Sequence, residues 1–202
     1  MDTRVVLVSI MDRNTEYETI KFASPLVWER WLSKHHKTIK GVWVQIAKKA
    51  SGIKTVTYDE ALDVALCYGW IDGLKRTFDA NYFVQKFTPR RPKGLWSKRN
   101  VAKVVELIKT GKMKPAGLAE VKTAKRDGRF NAAYDSQKNM LVPKDFLVAL
   151  KKHKKADAFF KTLNKTNVYA IAWRLQTAKT PETRARRFSV LLEMLKQGKK
   201  PH

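Results

Sequence analysis

The sequence has a single cysteine and four histidines, too few for most of the sites that these residues build. One cysteine, Cys67, excludes an intramolecular disulfide and a cysteine-rich metal site. No pair of histidines has the spacing of a zinc-binding helix, so neither a metal nor a cofactor is expected. Glycine-rich phosphate loops, G-x-S-x-G turns and paired-carboxylate signatures are missing as well, and this favours a non-enzymatic role.

Long apolar runs are also missing. The run "RVVLVSIM" from Arg4 to Met11 is much too short to span a bilayer, and it lacks the pattern of a secretory signal. We interpret residues 1–21 as an N-terminal extension, either an added strand or a disordered segment. The expectation is a cytoplasmic protein without a transmembrane segment.

Acidic residues are scarce, because 18 Asp and Glu stand against 42 Lys and Arg, a net charge of +24. A hydrophobic content of 44% with six tryptophans indicates a folded chain and not a disordered one. Such a charge attracts polyanions, of which nucleic acid is the commonest. The alternative interpretation is that many lysines only solvate helix surfaces.

The order of helix and strand signals predicts an α+β fold, in which a small antiparallel sheet packed with helices precedes a helical C-terminal bundle. Two helix starts are indicated. Ser24 is a favourable N-cap residue directly before Pro25, and Thr57 has capping-box spacing to Glu60. The segments "VWVQIA", "WIDGLKRTF" and "YFVQKF" have the composition of strands, and "DAN" reads as the turn between the last two.

Helices are predicted in the rest of the chain as well. The helix after Ser97 is expected to carry Val101, Val104, Val105 and Ile108 on one side, and four further helices follow Pro143. We place the domain boundaries so that the extension covers 1–21, an α+β core covers 22–135 and a helical subdomain covers 136–202.

Five segments, in order along the chain, carry a resemblance to a known family. They are "GVWVQIAKK", "TVTYDEALDVALCYGWIDG", "QKFTPRRPKGLWSK", "MKPAGLAEV" and "AIAWRLQTAKTPETRARR". Together they resemble the bacteriocin-protection, YdeI/OmpD-associated (OmdA-like) family from about residue 22 to the end. Gly94 departs from the serine that is frequent there in the family. The resemblance implies a link to antimicrobial stress, and it implies no substrate and no catalytic residue.

The segment "FTPRRPKGLWSK" is the strongest candidate for a ligand site. Paired arginines in a proline-stiffened loop suit phosphate or carboxylate recognition, and a nearby tryptophan offers a ring for stacking. The alternative is a structural lid in which the tryptophans belong to the core and Asp72 pairs with an arginine. The candidate ligand-binding residues are Trp70, Asp72, Arg76, Gln85, Arg90, Arg91 and Trp96.

A second candidate is an anion-binding or nucleic-acid-binding face. Arginines in the first turns of the helix after Thr180 oppose the helix dipole, which hints at an anionic partner; a solvated face is the alternative. The candidate residues are Arg90, Arg91, Lys93, Lys98, Arg174, Lys179, Arg184, Arg186 and Arg187.

Cys67 is expected to be structural. It lies at the end of an apolar helix, where the negative end of the helix dipole disfavours a thiolate. The segment "CYGWIDG" that contains it is interpreted as a packed helix-to-strand corner that positions the arginine loop.

Three functional classes remain open on the sequence. The leading class is a stress- or antimicrobial-resistance-related, non-enzymatic binding protein with a basic surface for an anionic partner such as nucleic acid. The second is a small-molecule binder or unfamiliar enzyme that uses a Trp/Asp/Arg pocket around residues 70–96. The third is a protein-interaction module whose partner is another protein.

Overall fold

The computed structural model describes residues 17–135 and 139–201 and divides the chain into two compact units. The first unit contains the chain up to Gly94 together with Asn100–Asn131, and the second contains Leu95–Arg99 and the chain from Ala132 onward. The boundary expected between residues 135 and 136 stays a prediction. The run from Arg4 to Met11, interpreted as an added strand or a disordered segment, lies outside the described residues.

The first unit is built on a four-stranded sheet in the order β1-β2-β4-β3. Its strands are β1 (Thr19–Lys21), β2 (Val42–Ala47), β3 (Trp70–Thr77) and β4 (Tyr82–Pro89). The α+β class is confirmed, but the sheet is mixed, because β1 runs parallel to β2 while the other two pairs are antiparallel. Strand β1 falls in the segment that the sequence analysis assigned to the N-terminal extension.

Two helices at the start of the first unit cover one face of this sheet. Helix α1 (Pro25–His35) is capped by the Ser24 hydroxyl, and α2 (Tyr58–Cys67) has the predicted capping box between Thr57 and Glu60. Trp28 of α1 is fully buried, and its indole N–H donates to the Ala61 carbonyl of α2 at 3.0 Å. Its ring centroid lies 5.8 Å from that of Phe87 on β4, so this tryptophan joins both helices to the sheet.

Helices α3 (Lys98–Lys109) and α4 (Pro115–Arg126) follow the sheet. The buried residues of α3 are Asn100, Val104 and Leu107, whereas Val105 is 51% exposed and Ile108 is 38% exposed. Of the four residues expected on one side of α3, Val104 is therefore buried, whereas Val105 and Ile108 are exposed. Positions 100, 104 and 107 form one stripe at helical spacing, and the two exposed residues lie beside it.

The second unit is helical, as predicted for the C-terminal part. It contains the first two residues of α3 and four complete helices. These are α5 (Lys144–Lys151), α6 (Lys154–Lys161), α7 (Lys165–Gln176) and α8 (Pro181–Lys196). They bury one apolar cluster, whose members are Phe146, Leu150, Ala156, Ile171, Leu175, Leu191 and Leu195. Among the described residues, no helix combines the length and the apolar character that crossing a membrane requires.

Candidate functional site

The corner between α2 and β3 fixes the start of the arginine loop, the segment 90–94 after β4. Gly69 has a φ of +75°, a conformation that favours glycine, and it lets the chain turn sharply after α2. The Gly69 carbonyl accepts a hydrogen bond from the backbone N–H of Arg90 at 3.0 Å. This contact supports the interpretation of "CYGWIDG" as a packed corner that positions the loop.

A β-bulge next to this corner redirects the backbone of β3. The register of β3 against β4 shifts between Asp72 and Lys75, which leaves Gly73 and Leu74 outside the ladder. Gln85 of β4 is 3% exposed, and its side-chain amide donates to the carbonyls of Gly73 at 3.0 Å and Leu74 at 3.1 Å. Gln85 therefore supports the bulge from the core side.

The arginine loop contains a tight turn from Arg91 to Gly94. The Gly94 N–H donates to the Arg91 carbonyl at 3.0 Å, with Pro92 and Lys93 between them. Proline followed by a residue of positive φ is the pattern of a type II turn, and Lys93 has a φ of +60°. A non-glycine residue in that conformation costs about 1 kcal/mol, so the turn stores backbone strain while it holds Arg91 exposed.

The loop, the bulge and β4 line an open, basic cavity of about 440 Å³ in the first unit. Four of its side chains are cationic, namely Lys40, Lys86, Arg90 and Arg91, and no acidic residue lines it. The Lys86 ammonium lies 4.1 Å from the centre of the Tyr17 ring, which also lines the cavity. Its residues are Tyr17, Lys40, Gly73, Leu74, Lys86, Thr88, Pro89, Arg90, Arg91 and Pro92.

Lys40 reaches the cavity from the loop between α1 and β2. A Cβ on the next residue, Gly41, would lie 2.9 Å from the Thr88 side chain, so only glycine allows so close an approach to β4. The charges differ in exposure, because Arg90 is 9% exposed while Lys40 and Arg91 are exposed. A cavity lined by four basic residues suits a phosphate or a carboxylate.

Only two of the predicted ligand-binding residues line this cavity, Arg90 and Arg91. Trp70 is 1% exposed, and its indole N–H donates to the His36 carbonyl at 3.2 Å. Asp72 accepts a hydrogen bond of 2.8 Å from the Tyr58 hydroxyl. The Arg76 guanidinium lies 4.8 Å from the centre of the Trp43 ring. The structure therefore places these three side chains in contacts within the first unit and outside the cavity lining.

Other predicted residues belong to the second unit. Trp96 is 2% exposed, and the ammonium of Lys98 lies 2.7 Å from a carboxylate oxygen of Asp135. Within the first unit, the cavity that Arg90 and Arg91 line does not include the candidates Trp70, Asp72, Arg76 and Gln85. Ligand binding by them stays a prediction, and Arg90 with Arg91 is the pair that the cavity favours.

The predicted arginine face of the second unit is partly engaged in internal contacts. Arg184 lies 2.8 Å from a carboxylate oxygen of Asp145, and Arg187 donates to the carbonyl of Arg174 at 2.8 Å. The second contact places a cation at the C-terminus of α7, where the helix dipole favours it. Lys179 and Arg186 are exposed.

Lys40, Lys86 and Tyr17 are cavity residues that the sequence analysis did not identify. Alternation along β4 places Lys86 on the same face as Thr88, and this is a signal that could have suggested it. Lys40 has no such signal, because its place depends on how the α1–β2 loop packs against β4.

A second cavity of the first unit, of about 580 Å³, contains Cys67 in its wall. The thiol is 6% exposed, and burial, with a smaller contribution from the Glu29 carboxylate, raises its pKa to about 11. The prediction of a structural cysteine agrees with this burial. The lining also includes Glu29 and Lys114, whose charged groups lie 2.8 Å apart.

Alkylation of Cys67 is expected to be slow in the folded protein. Its pKa is raised from 9.0 to about 11, so at about pH 8 the thiolate fraction is roughly 100-fold below that of a free thiol. Iodoacetamide labelling followed by mass spectrometry would measure the rate with and without urea. Equal rates in the folded and unfolded protein would contradict a buried thiol.

No group of three or more potential metal ligands occurs among the residues that the structure describes. The charged side chains among the residues that line the basic cavity are all hydrogen-bond donors, a composition that suits an anion.

Comparison with known proteins gives two family matches. Residues 20–120, half of the chain, match a domain of unknown function, DUF8412. Residues 139–198 match the family described as bacteriocin-protection, YdeI or OmpD-associated, which confirms the resemblance for the C-terminal part only. Neither the curated proteins nor the solved structures contain a significant match. The chain thus belongs to the DUF8412 family through residues 20–120, which contain most of the sheet and of the cavity lining, and its C-terminal helices carry the YdeI/OmpD-associated match.

Proposed function

We propose that this protein is a non-enzymatic binding protein, related to protection against bacteriocins, that recognises an anionic partner through the basic cavity. The family match over residues 139–198 supports the protective role. The basic cavity supports the recognition of an anion. Nucleic acid is the partner to test first, because the net charge of +24 favours polyanions.

One observation carries this proposal: four cations and no carboxylate line a single cavity. Cations held close together repel each other, and a bound anion lowers this repulsive energy. Hydrogen bonds between charged donors and phosphate are about twice as strong as neutral ones. The strained turn at Lys93 and the bulge support of Gln85 hold the surrounding backbone in place before any ligand arrives.

A small phosphate- or carboxylate-bearing molecule is the second candidate partner. The volume of about 440 Å³ lies within the range of roughly 300–1,000 Å³ that small-molecule sites occupy. The lining combines the cations with the apolar side chains of Leu74, Pro89 and Pro92. Such a mixture suits a ligand with one charged group and an apolar body.

The proposal is tested by neutralising the two exposed cations of the cavity in the Lys40→Ala/Arg91→Ala variant. Anisotropy of a labelled single-stranded oligonucleotide would measure affinity at about 0.15 M salt, with inorganic pyrophosphate as competitor. We expect the dissociation constant to rise at least tenfold, because a hydrogen bond to a charged group contributes about 1.5–3 kcal/mol. Pyrophosphate should compete with the oligonucleotide on the unmodified protein.

A matched control, Arg30→Ala/Lys54→Ala, removes the same charge from exposed positions outside the cavity. It should change affinity by less than about threefold, as expected for a change in long-range charge alone. Equal losses in both variants would mean that the charge acts generically. Absence of both oligonucleotide and pyrophosphate binding at the cavity would overturn the proposal.

A further inference from the structure

The second unit has a lysine-rich end that the proposed function does not use. We define it as the exposed lysines at the α5–α6 turn and at the end of α8. The first group is Lys151, Lys152, Lys154 and Lys155, and the second group is Lys196, Lys199 and Lys200. About 40 residues separate the two groups in the chain, so no local sequence pattern links them.

Helix packing brings the two groups together. Leu150 of α5 and Leu195 of α8 are both fully buried in the apolar cluster of this unit, and each lies next to one of the groups. His153, at the start of α6, contributes to the lowered pKa of the Glu193 carboxyl on α8, after larger contributions from Gln197 and Lys196. The start of α6 is therefore within electrostatic reach of the last turns of α8.

The chain after α8 is held against the unit. Gly198 has a φ of +66°, and its N–H donates to the Leu195 carbonyl at 3.1 Å. The N–H of Lys199 donates to the Met194 carbonyl at 2.8 Å, and Pro201 is buried. Lys199 and the residue after it are thus presented from a fixed backbone, at a lower entropic cost than from a free tail.

Within residues 17–135 and 139–201, one ion pair involves a lysine of this end, so most of its positive charge is uncompensated by the described acidic side chains. Glu193 lies 3.4 Å from Lys196, while Asp157 of α6 pairs at 2.6 Å with Lys161, which is not one of the seven lysines. Lys154 and Lys155 also occupy the first turn of α6, where the helix dipole opposes a cation. Repulsion among these charges would fall on binding a polyanion.

We propose that the lysine-rich end binds the phosphate backbone of nucleic acid without reading its sequence. Lysines act as point charges that contact phosphates, and they lack the planar fork with which arginine contacts bases. Duplex DNA presents one charge per about 1.7 Å of its axis, a density that can engage several lysines at once. This surface lies in the second unit and shares no residue with the basic cavity. The proposal for it therefore does not depend on anion binding at the cavity.

The test is the salt dependence of binding to a labelled 20-base-pair duplex by the full chain. Each phosphate contact contributes about 0.9 to the slope of log K against log salt. The variant Lys152→Ala/Lys155→Ala/Lys196→Ala/Lys199→Ala should lower the magnitude of that slope by up to about 3.6, with at least a tenfold loss of affinity at about 0.15 M salt. All four side chains are exposed, so thermal unfolding should be almost unchanged.

The control variant removes four exposed lysines of the first unit, namely Lys34, Lys37, Lys109 and Lys122, and it should leave the slope within about 1 of the original. Equal changes in both variants, or none in either, would overturn the proposal. So would binding of phosphatidylserine vesicles that needs the lysine-rich end while duplex binding does not. The cavity variant Lys40→Ala/Arg91→Ala distinguishes the two proposals. If the lysine-rich end binds the duplex and the cavity does not, this variant leaves the salt slope of duplex binding unchanged, while the lysine variant still lowers it.

Discussion

Replacing Gly117 by alanine is expected to lower the free energy of unfolding by about 3 kcal/mol. A Cβ at this position of α4 would overlap the Cys67 carbonyl oxygen and would lie 2.7 Å from that of Leu66. Both are backbone atoms at the end of α2, so no side chain can rotate away. Alanine has the better helix propensity by about 1 kcal/mol, but this gain is smaller than the cost of separating the two helices.

The displacement should reach the arginine loop as well. The N–H of Lys114, just before α4, donates to the Cys67 carbonyl at 3.2 Å. Two residues after Cys67, the Gly69 carbonyl accepts a hydrogen bond from the N–H of Arg90, so a shift of this corner would move the loop.

Urea denaturation would measure the loss of stability in the Gly117→Ala protein. Gly73→Ala is the control, because its Cβ would be 3.8 Å from the nearest atom, and it should cost less than about 1 kcal/mol. Equal stability of the Gly117→Ala protein and the original would contradict the contact.

Replacing Trp70 by alanine is expected to cost about 3–5 kcal/mol, the range for truncating a buried aromatic residue. Trp70 is 1% exposed, its ring packs edge-on against Trp31 with centroids 6.4 Å apart, and its indole N–H is bonded to His36. Alanine would leave a cavity and would remove the donor of the partly buried His36 carbonyl. The midpoint of thermal or urea unfolding would report the loss.

The variant Trp70→Phe distinguishes a core residue from a ligand-binding one. Phenylalanine keeps most of the buried ring and loses the hydrogen bond to His36, so a cost of about 1–3 kcal/mol is expected. If Trp70 acts only in the core, oligonucleotide and pyrophosphate affinities should stay within about twofold of the original. A tenfold loss of affinity in a folded Trp70→Phe protein would instead support the prediction that this ring contacts a ligand.

Local features of the fold could be predicted from the sequence. The capping box of Thr57 and Glu60 and the left-handed Gly69 depend on residues within one helical turn, so the local sequence contains their determinants. The buried side of α3 could not be predicted with the same success. Val105 and Ile108 are as apolar as Val104 and Leu107, and only the neighbours that α3 meets decide which stripe is covered.

The candidate site also has a part that the sequence predicted and a part that it did not. The arginine loop was predictable, because paired arginines between prolines are a local signal. The partners of that loop were not, since Lys40 and Lys86 come from a different loop and from β4. The sequence also suggested Trp70 and Asp72 as ligand residues, whereas the tertiary structure places them against His36 and Tyr58.

The sequence by itself determined the α+β class, the helix caps, the burial of Cys67 and the excess of positive charge. Each follows from composition or from residues close together in the chain. Only the tertiary structure decided which cations converge, at the basic cavity and at the lysine-rich end. Those clusters join segments far apart in the chain, and the packing of strands and helices, which depends on the whole core, determines the distances between them.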